Sequence, residues 1–293
     1  MLLKFCGLYS IIIYTIIYAN FLKGLFIMIN VGFVGAGNMA TAIIKGISTC
    51  ALSDEISLFA ADVDNEKVNA LGSCGVAPCK DAAEIAEKCK YIFLAVKPQV
   101  IEGVLESLKG KLSGETVIIS IAAGISGEFI QNKTQSNVKV VLVMPNTPLL
   151  LGEGASALAK VDPITDEEFE FVKSIFDACG KTAVLSKDKM KEIIAVNGSS
   201  PAFIYLYAKA FIEYAESVGI DGEAAKILFS QSLIGSAKMI TDSGYSVDEL
   251  IKMVSSPGGT TLAGLDELYN GNLEEITKKA CKSCTRRAYE LSK

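Results

Sequence analysis

Short apolar runs alternate with segments of helical periodicity over the first two thirds of this sequence, and this alternation limits the possible folds most strongly. The apolar runs lie at 29–34, 56–61, 91–96, 116–121 and 138–143. Strands that are apolar along their whole length are typical of a parallel sheet with helices on both faces. Two further runs, at 155–159 and 182–185, flank a helix that Thr165 and Glu168 open with a capping box. The pattern predicts an α/β fold with a doubly wound, mostly parallel sheet.

From about residue 190 onward the sequence is helical throughout. Helix N-termini are indicated by Ser200-Pro201, by Asp221, by Ser246 with Glu249 and by Asn272 with Glu275. We therefore predict two domains, an α/β domain at 28–189 and an all-α domain at 190–293. The apolar stripe of the last helix favours packing in a core or in a subunit interface.

The first 27 residues stand apart as an apolar leader. Residues 5–22 carry no charge and are flanked by Lys4 and Lys23, a length that is borderline for a membrane span. No convincing cleavage site of a signal peptide follows. Met28 directly precedes the first predicted strand and is an attractive alternative start. Two interpretations stay open: residues 1–27 are a dispensable or miscalled leader of a cytoplasmic protein, or residues 5–22 anchor it to a membrane.

The absence of histidine excludes several mechanisms. With no histidine in 293 residues, the chain cannot form a Ser-His-Asp or Cys-His arrangement and has no imidazole to protonate a carbonyl. Its 28 basic and 33 acidic residues form no basic block, so we expect no nucleic-acid partner. The eight cysteines are scattered, and the close pair Cys281 and Cys284 falls in a helical tail. We expect reduced thiols and no metal site.

A glycine motif follows the first predicted strand and opens a helix. Its sequence is Gly35-Ala36-Gly37-Asn38-Met39-Ala40, which fits the G-x-G-x-x-G/A pattern. The first glycine permits a tight turn, the second lets the backbone approach a pyrophosphate, and the last small residue lets helix and strand pack closely. The free N–H groups of the helix N-terminus attract phosphate. The motif predicts a Rossmann-type domain that binds NADPH or NADH.

The end of the second predicted strand bears on the choice between these two cofactors. Asp62 stands there, and an acidic residue at this point can bind the ribose 2′-hydroxyl and repel a 2′-phosphate. Asp64 is an alternative for the same role, and Lys67 lies in the next helix. Asp62 on its own favours NADH, without deciding the preference.

Three unusual segments follow strands or join helices. They are AVKPQ at 95–99, MPNTP at 144–148 and SSPGGTT at 255–261. In the third, two glycines leave backbone N–H groups uncovered where a helix begins, which suits a carboxylate. An ordinary helix–helix turn is the equally open alternative, because Pro and Gly are common in such turns.

These segments resemble one enzyme family. VGFVGAGNMA, FLAVKPQ, SIAAGI, VMPNTP, GSSPAF and VSSPGGTTLAGLDEL occur in the order and spacing of pyrroline-5-carboxylate reductase, from Met28 to the C-terminus. The chain departs from the family at Leu142, where Arg is usual, and at Asn197–Ala202, where SGSGPA is typical. Neither departure touches the predicted carboxylate site.

The resemblance implies a function and a set of site residues. It implies reduction of the cyclic imine 1-pyrroline-5-carboxylate to L-proline by hydride transfer from NAD(P)H, the last step of proline biosynthesis. The cofactor would contact Phe33, Val34, Gly35, Ala36, Gly37, Asn38, Met39, Ala95, Val96, Lys97 and Pro98, besides Asp62. The substrate carboxylate would be held by Ser256, Gly258, Gly259 and Thr260. Thr261 would lie near the ring nitrogen as the catalytic residue. The family forms dimer-based homo-oligomers with interlocking helical domains, which would bring the substrate loop close to a partner subunit.

Two other functions compete with this one. A β-hydroxyacid dehydrogenase would need Lys followed four residues later by Asn on the long helix, whereas Lys209 is followed by Glu213. A non-enzymatic, dinucleotide-responsive binding protein would not need the intact glycine loop of the helical domain. An imine substrate also suits a chain without histidine, because an imine arrives protonated and needs no strong general acid.

Overall fold

The computed structural model describes residues 28–292. The leader at 1–27, including the possible membrane anchor at 5–22, lies outside the described residues. Within 28–292 no helix combines the length and the apolar character that crossing a bilayer would require.

Eight strands form one sheet. They are β1 (Ile29–Val34), β2 (Ile56–Ala61), β3 (Val76–Pro78), β4 (Tyr91–Leu94), β5 (Val117–Ser120), β6 (Lys139–Met144), β7 (Gly154–Val161) and β8 (Gly180–Val184). Their order is β3-β2-β1-β4-β5-β6-β7-β8. Only the β6–β7 pair is antiparallel. The mostly parallel, doubly wound sheet is thus confirmed, and the order reverses between β1 and β4.

Both faces of the sheet are buried, as the continuous apolar runs predict. The N-terminal domain has six helices: α1 (Asn38–Thr49), α2 (Asn65–Ala70), α3 (Ala82–Lys88), α4 (Ile101–Leu108), α5 (Gly127–Thr134) and α6 (Asp166–Asp177). On one face, Phe33 stacks on Phe93 with ring centroids 4.5 Å apart, and Phe93 meets Phe176 of α6. On the other face, Ile85, Leu105 and other aliphatic side chains of α3–α5 cover the sheet.

A buried carboxylate ties three elements together at the amino ends of β4 and β6. Glu168, in the first turn of α6, is 6% exposed and lies 2.9 Å from Lys139 and 3.0 Å from Lys90. Burial by itself raises the pKa of Glu168, but hydrogen bonds from Lys139 and Lys90 outweigh burial and lower it. The carboxyl group also completes the predicted capping box with Thr165.

The C-terminal domain is helical, as predicted. A short π-helix (Ile194–Gly198) leads into α7 (Ser200–Ser217), α8 (Gly222–Asp242), α9 (Val247–Met253), α10 (Thr260–Asn270) and α11 (Leu273–Leu291). The predicted caps at Asp221 and Ser246 are confirmed, since both side chains accept backbone N–H groups. The predicted helix start at Asn272 is confirmed, because α11 begins directly after it, but the predicted side-chain cap is absent. This residue adopts the left-handed conformation, with φ of 53°, and its side chain caps nothing.

The helices α7, α8 and α9 leave a large apolar surface open in the single chain. Phe211 of α7 stacks on Phe229 of α8 at 4.2 Å, but α8 has no buried residue. We call this region the arm surface. Its exposed apolar side chains include Ile204, Leu206, Phe211, Ile227, Leu228, Ile234, Ile240, Val247 and Met253. So many exposed apolar side chains on three helices are typical of a region that contacts another protein molecule.

Candidate functional site

A cavity of about 480 Å³ opens at the carboxyl edge of the sheet, between β1 and β4. This is the point where the strand order reverses, and open α/β sheets bind ligands there. The lining residues are Val34, Gly35, Gly37, Ala61, Asp62, Val63, Lys67, Lys80, Asp81, Ala82, Ala95, Val96, Lys97, Val100 and Val104. We call it the dinucleotide cavity, because its shape and position suit a nucleotide cofactor.

The glycine loop forms the base of the dinucleotide cavity. Gly35 has φ of +102°, and a Cβ atom there would lie 2.7 Å from the carbonyl oxygen of Ala95, so no larger residue fits. A Cβ atom at Gly37 would meet nothing within 4 Å, which leaves this backbone open to a ligand. The N-terminus of α1 has no side-chain cap and no acidic residue in its first turn. Its N–H groups are therefore available to a pyrophosphate.

Asp62 is fixed at the end of β2 by two backbone groups. Its Oδ2 atom accepts the N–H of Ala36 at 2.7 Å, and its Oδ1 atom accepts the N–H of Asp64 at 2.9 Å. The carboxylate thereby holds the glycine loop and also faces the dinucleotide cavity. Asp64, the alternative considered from the sequence, instead caps α2 by accepting the N–H of Glu66.

The structure brings seven of the twelve predicted cofactor residues to the lining of the dinucleotide cavity. These are Val34, Gly35, Gly37, Asp62, Ala95, Val96 and Lys97. The other five lie around it. The Phe33 ring is fully buried in the core, and Ala36 is buried against Asp62. Asn38 is exposed and Met39 half-buried at the start of α1. Pro98 begins the short helix Pro98–Val100, whose last residue lines the dinucleotide cavity.

One wall of the dinucleotide cavity was missed by sequence reasoning. Lys80, Asp81 and Ala82 line it from the connection between β3 and α3. Strand β3 has only three residues and ends in Pro78, so its pattern is too short to indicate a strand. The loop that follows β3 therefore had no predicted place at the sheet edge.

Two asparagines hold the MPNTP segment after β6. Asn146 is 8% exposed, and its Oδ1 atom accepts the N–H of Ala155 at 2.9 Å. Asn197, from the π-helix, donates to the carbonyl oxygens of Met144 at 2.7 Å and of Ala155 at 3.1 Å. These bonds connect the helical domain to the sheet edge. Asn197 stands at a position where the sequence departs from the family motif, and its amide is used structurally.

The SSPGGTT loop connects α9 to α10 and has the features of an anion-binding nest. Gly258 has φ of +70°, and a Cβ atom at Gly259 would lie 2.7 Å from the Ser256 hydroxyl oxygen. Gly259 is the N-cap of α10 and provides no side-chain cap, and the first turn of α10 contains no acidic residue. Thr260 and Thr261 begin the helix with exposed side chains. The N–H of Gly259 donates to the carbonyl oxygen of Ser256 at 3.0 Å, so the loop presents the N–H groups of the first turn of α10 together with the helix dipole.

The nest and the dinucleotide cavity are separate within one chain. Among the described residues, none that lines the dinucleotide cavity comes from the helical domain. The nest residues Ser256, Gly258, Thr260 and Thr261 are exposed, and Gly259 is half-buried. Lys209 of α7 is 66% exposed and pairs with Glu213 at 3.4 Å, far from the arrangement that a hydroxyacid dehydrogenase requires.

Comparison with known proteins gives consistent results for both domains. A family model described as pyrroline-5-carboxylate reductase dimerisation matches residues 187–291. A model described as NADP oxidoreductase, coenzyme F420-dependent, matches residues 30–124. The chain is 32% identical to the pyrroline-5-carboxylate reductase of Methanosarcina acetivorans, over 90% of this chain and 98% of the relative.

Two solved structures agree over both domains. A pyrroline-5-carboxylate reductase from Coxiella burnetii has a TM-score of 0.83 and 34% identity, covering 91% of this chain and all of that one. The Plasmodium falciparum pyrroline carboxylate reductase, solved with NADP bound, has a TM-score of 0.82 and 27% identity, covering 90% and 98%. The dinucleotide cavity and the glycine nest therefore lie on a shared scaffold, and this chain belongs to the pyrroline-5-carboxylate reductase family.

Proposed function

We propose that this chain reduces 1-pyrroline-5-carboxylate to L-proline with NAD(P)H, in a site formed by the dinucleotide cavity and the nest at 256–261. The observation that carries the proposal is the uncapped, acid-free N-terminus of α10, preceded by two glycines. Such a nest fits the one permanent anionic group of the substrate, its carboxylate.

The N-terminal domain orients the cofactor. The open backbone at Gly37 and the free N–H groups of α1 hold the pyrophosphate. Asp62 faces the ribose, and its negative charge disfavours a 2′-phosphate, so we propose a preference for NADH. Ala95, Val96 and Lys97 form the wall of the cavity at the end of β4.

The helical domain positions the substrate. The N–H groups of Gly258 and Thr260 bind the carboxylate together with the Ser256 hydroxyl, while Gly259 holds the turn by donating its own N–H to the Ser256 carbonyl oxygen. The Thr261 hydroxyl, in the first turn of α10, orients the ring nitrogen. When bound, the reduced nicotinamide supplies the hydride that the C=N carbon accepts. The chain's own residues then need only to align the reacting atoms at about 3–3.5 Å and to exclude water.

A general acid is not required. The imine nitrogen is basic enough to enter the site protonated, so the carbon is already electrophilic. This agrees with a chain that has no histidine. Thr261 therefore acts by orientation, and we assign it no proton transfer.

The site is completed by a second subunit. Because the nest and the dinucleotide cavity do not meet within one chain, we propose that the nest of one subunit faces the cavity of its partner in a homodimer-based oligomer. The exposed arm surface supplies the apolar contact that such a dimer needs.

We propose that the enzyme acts in the cytoplasm. The seven cysteines within 28–292 are all free thiols, as is usual in a reducing compartment.

The test is a steady-state assay of the purified chain. We expect oxidation of NADH and NADPH to depend on 1-pyrroline-5-carboxylate and to yield L-proline in equal amount. Small 2- and 3-hydroxyacids with the oxidised cofactors should give no turnover. Turnover of hydroxyacids, or binding of cofactor without any imine reduction, would contradict the proposal.

A further inference from the structure

The pairing of β6 with β7 ends where the chain leaves the sheet edge. The last paired residues are Met144 and Ala157. Beyond them the chain forms the rest of the MPNTP segment and a short helix (Thr147–Leu151), and then returns as the start of β7. Continuing the register would place Asn146 opposite Ala155. The backbones do not pair there, and side-chain amides take over the missing hydrogen bonds.

Asn197 bridges the two strands at this opening. Its Nδ2 atom donates to the carbonyl oxygen of Met144 on β6 at 2.7 Å and to that of Ala155 on β7 at 3.1 Å. Both hydrogens of the amide group are thereby used. Turning the amide over would place its oxygen against two carbonyl oxygens, so the orientation is fixed. The side chain is 9% exposed, which shields both bonds from water.

The π-helix brings Asn197 to this position. The N–H of Ser199 donates to the carbonyl oxygen of Ile194 at 2.8 Å, the wide bonding pattern of a π-helix, and such turns are frequent at functional sites. The Oδ1 atom of Asn197 is buried and has no hydrogen-bond partner within 28–292. A buried acceptor without a donor lowers stability, so a gain in stability alone does not explain this arrangement.

The opening between β6 and β7 lies on the nicotinamide side of the proposed site. A dinucleotide binds across the point where the strand order reverses. Asp62, at the end of β2, faces the ribose on one side, so the nicotinamide half extends over β4, β5 and β6. Neighbouring strands are about 4.8 Å apart, which puts the end of β6 about 10 Å from β4. Residues 145–148 then form what we call the nicotinamide wall.

We propose that Asn197 is a positioning residue for hydride transfer. Its two bonds hold the nicotinamide wall at a fixed place on the sheet edge, and the wall in turn aligns the nicotinamide with the imine carbon. Asn197 itself touches neither cofactor nor substrate, because its hydrogens are used and its oxygen is buried. Since a misplacement of about 1 Å can cost about a hundredfold in rate, a small shift of the wall matters. This inference rests on the proposed imine reduction.

The chain contains a matched control at the opposite end of the same two strands. Gln131 of α5 donates through Nε2 to the carbonyl oxygens of Val138 at 2.9 Å and of Asp162 at 2.8 Å. These carbonyls flank the start of β6 and the end of β7, away from the carboxyl edge that carries the site. Asn197→Asp and Gln131→Glu each remove two amide hydrogen bonds at unchanged side-chain length.

The test measures kcat for imine reduction per NADH-binding site, with the sites counted by fluorescence titration. Asn197→Asp should lower kcat per site by about tenfold or more. The Kd for NADH should change by less than about threefold, because Gly37 and Asp62 hold the pyrophosphate and the ribose. Gln131→Glu should keep kcat per site within about twofold. A merely structural role would reduce the number of binding sites and leave kcat per site unchanged.

Asn197→Ser provides a milder variant with one hydroxyl hydrogen, which can bond to one of the two carbonyls. Its kcat per site should lie between those of the unmodified chain and Asn197→Asp, and it decides the test if the aspartate variant does not fold. Unchanged kcat per site in the folded variants would overturn the inference, as would an equal loss in Gln131→Glu. An unmodified chain without imine turnover would refute the proposed function itself, whereas turnover that survives Asn197→Asp refutes only the positioning role.

Discussion

Asp62 supports the glycine loop and, in the proposed site, also governs the choice of cofactor. Its carboxylate accepts the N–H groups of Ala36 and Asp64, so it cannot turn away from the dinucleotide cavity without breaking both bonds. A fixed negative charge at this point repels a 2′-phosphate more effectively than a mobile one would, because no rearrangement can relieve the repulsion. We therefore expect the replacement of Asp62 to change both the glycine loop and the cofactor preference.

We expect Asp62→Ser to shift the ratio of kcat/KM for NADPH over NADH upward by about tenfold, or ~1.4 kcal/mol. Both values can fall, because the glycine loop loses a hydrogen bond, and the ratio is the informative quantity. Steady-state kinetics with both cofactors measures it. Asp64→Ser is the control, since Asp64 caps α2, and it should leave the ratio unchanged. An unchanged ratio in Asp62→Ser would remove this residue from cofactor choice.

The prediction for the proposed substrate site concerns Thr261. Thr261→Ala should lower kcat/KM for the imine by roughly ten- to a hundredfold, about 1.4–2.7 kcal/mol of transition-state stabilisation. The affinity for NADH, measured by fluorescence titration, should not change. Thr277→Ala removes an equally exposed hydroxyl from α11 and serves as the control. Full activity of Thr261→Ala would show that its hydroxyl does not orient the nitrogen.

At the scale of elements, the ion cluster around Glu168 joins α6 to the strands β4 and β6. Glu168 is buried and has two lysine partners, so its removal leaves Lys139, whose side chain is 12% exposed, without its main partner. The loss of such a partner costs more than the loss of an exposed ion pair.

Glu168→Gln should lower the free energy of unfolding by about 2 kcal/mol near neutral pH, measured by urea denaturation. The folded-state pKa of Glu168 lies below the ordinary pKa of a glutamate, so its contribution to stability is complete above the ordinary value and is lost as pH falls through the folded-state pKa. The difference between variant and unmodified chain should therefore shrink in acid. Glu167→Gln, an exposed neighbour, should change stability by less than about 0.5 kcal/mol.

Most elements of this fold follow from sequence pattern, because buried parallel strands leave long apolar runs. β1 and β2 have the predicted bounds, whereas the run at 91–96 ends as a strand at Leu94. The backbone turns there to form the cavity wall at Ala95 and Val96. Strand β3 was missed because three residues with a proline carry no periodicity.

The candidate site was predictable only in part, because some of its residues are positioned by their own local motif and others by how distant strands pack together. The glycine motif fixes its own conformation locally, so Gly35 and Gly37 could be assigned from spacing. Lys80 lines the cavity because of the way β3 joins the sheet edge. Asp62 both binds the glycine loop and faces the cavity because of the way β2 lies beside β1. The missing side-chain cap at Asn272 was equally unpredictable from the sequence, because the α10–α11 connection sets the left-handed conformation of this residue.

At the scale of the whole molecule, the arm surface is the main feature that a single chain leaves unexplained. The helices α7–α9 expose apolar side chains that a monomer would keep in water, and the matching family model describes dimerisation. The C-terminal domain thus provides for association, and in the proposed site it also carries the nest.

Leu228→Lys tests the arm surface directly. This side chain is 68% exposed on α8, and a buried, unpaired lysine would be costly in a dimer interface. We expect the oligomer to dissociate in sedimentation velocity experiments and imine reduction to fall at least tenfold. Val184→Lys, at a 52% exposed position on β8, is the control and should stay assembled and active. A monomeric but fully active Leu228→Lys variant would contradict the shared site.

The separation of nest and dinucleotide cavity has a consequence for mixtures of damaged chains. Gly35→Val fills the space at the Ala95 carbonyl, and Gly259→Val collides with Ser256, so each chain loses a different half of the site. When both are expressed together, a heterodimer pairs the intact cavity of one with the intact nest of the other. We expect trans complementation to restore roughly a quarter of normal activity, since half the dimers are mixed and each has one good site. Two inactive chains would then give an active enzyme only as a mixed dimer. Dilution that separates the subunits should abolish this activity.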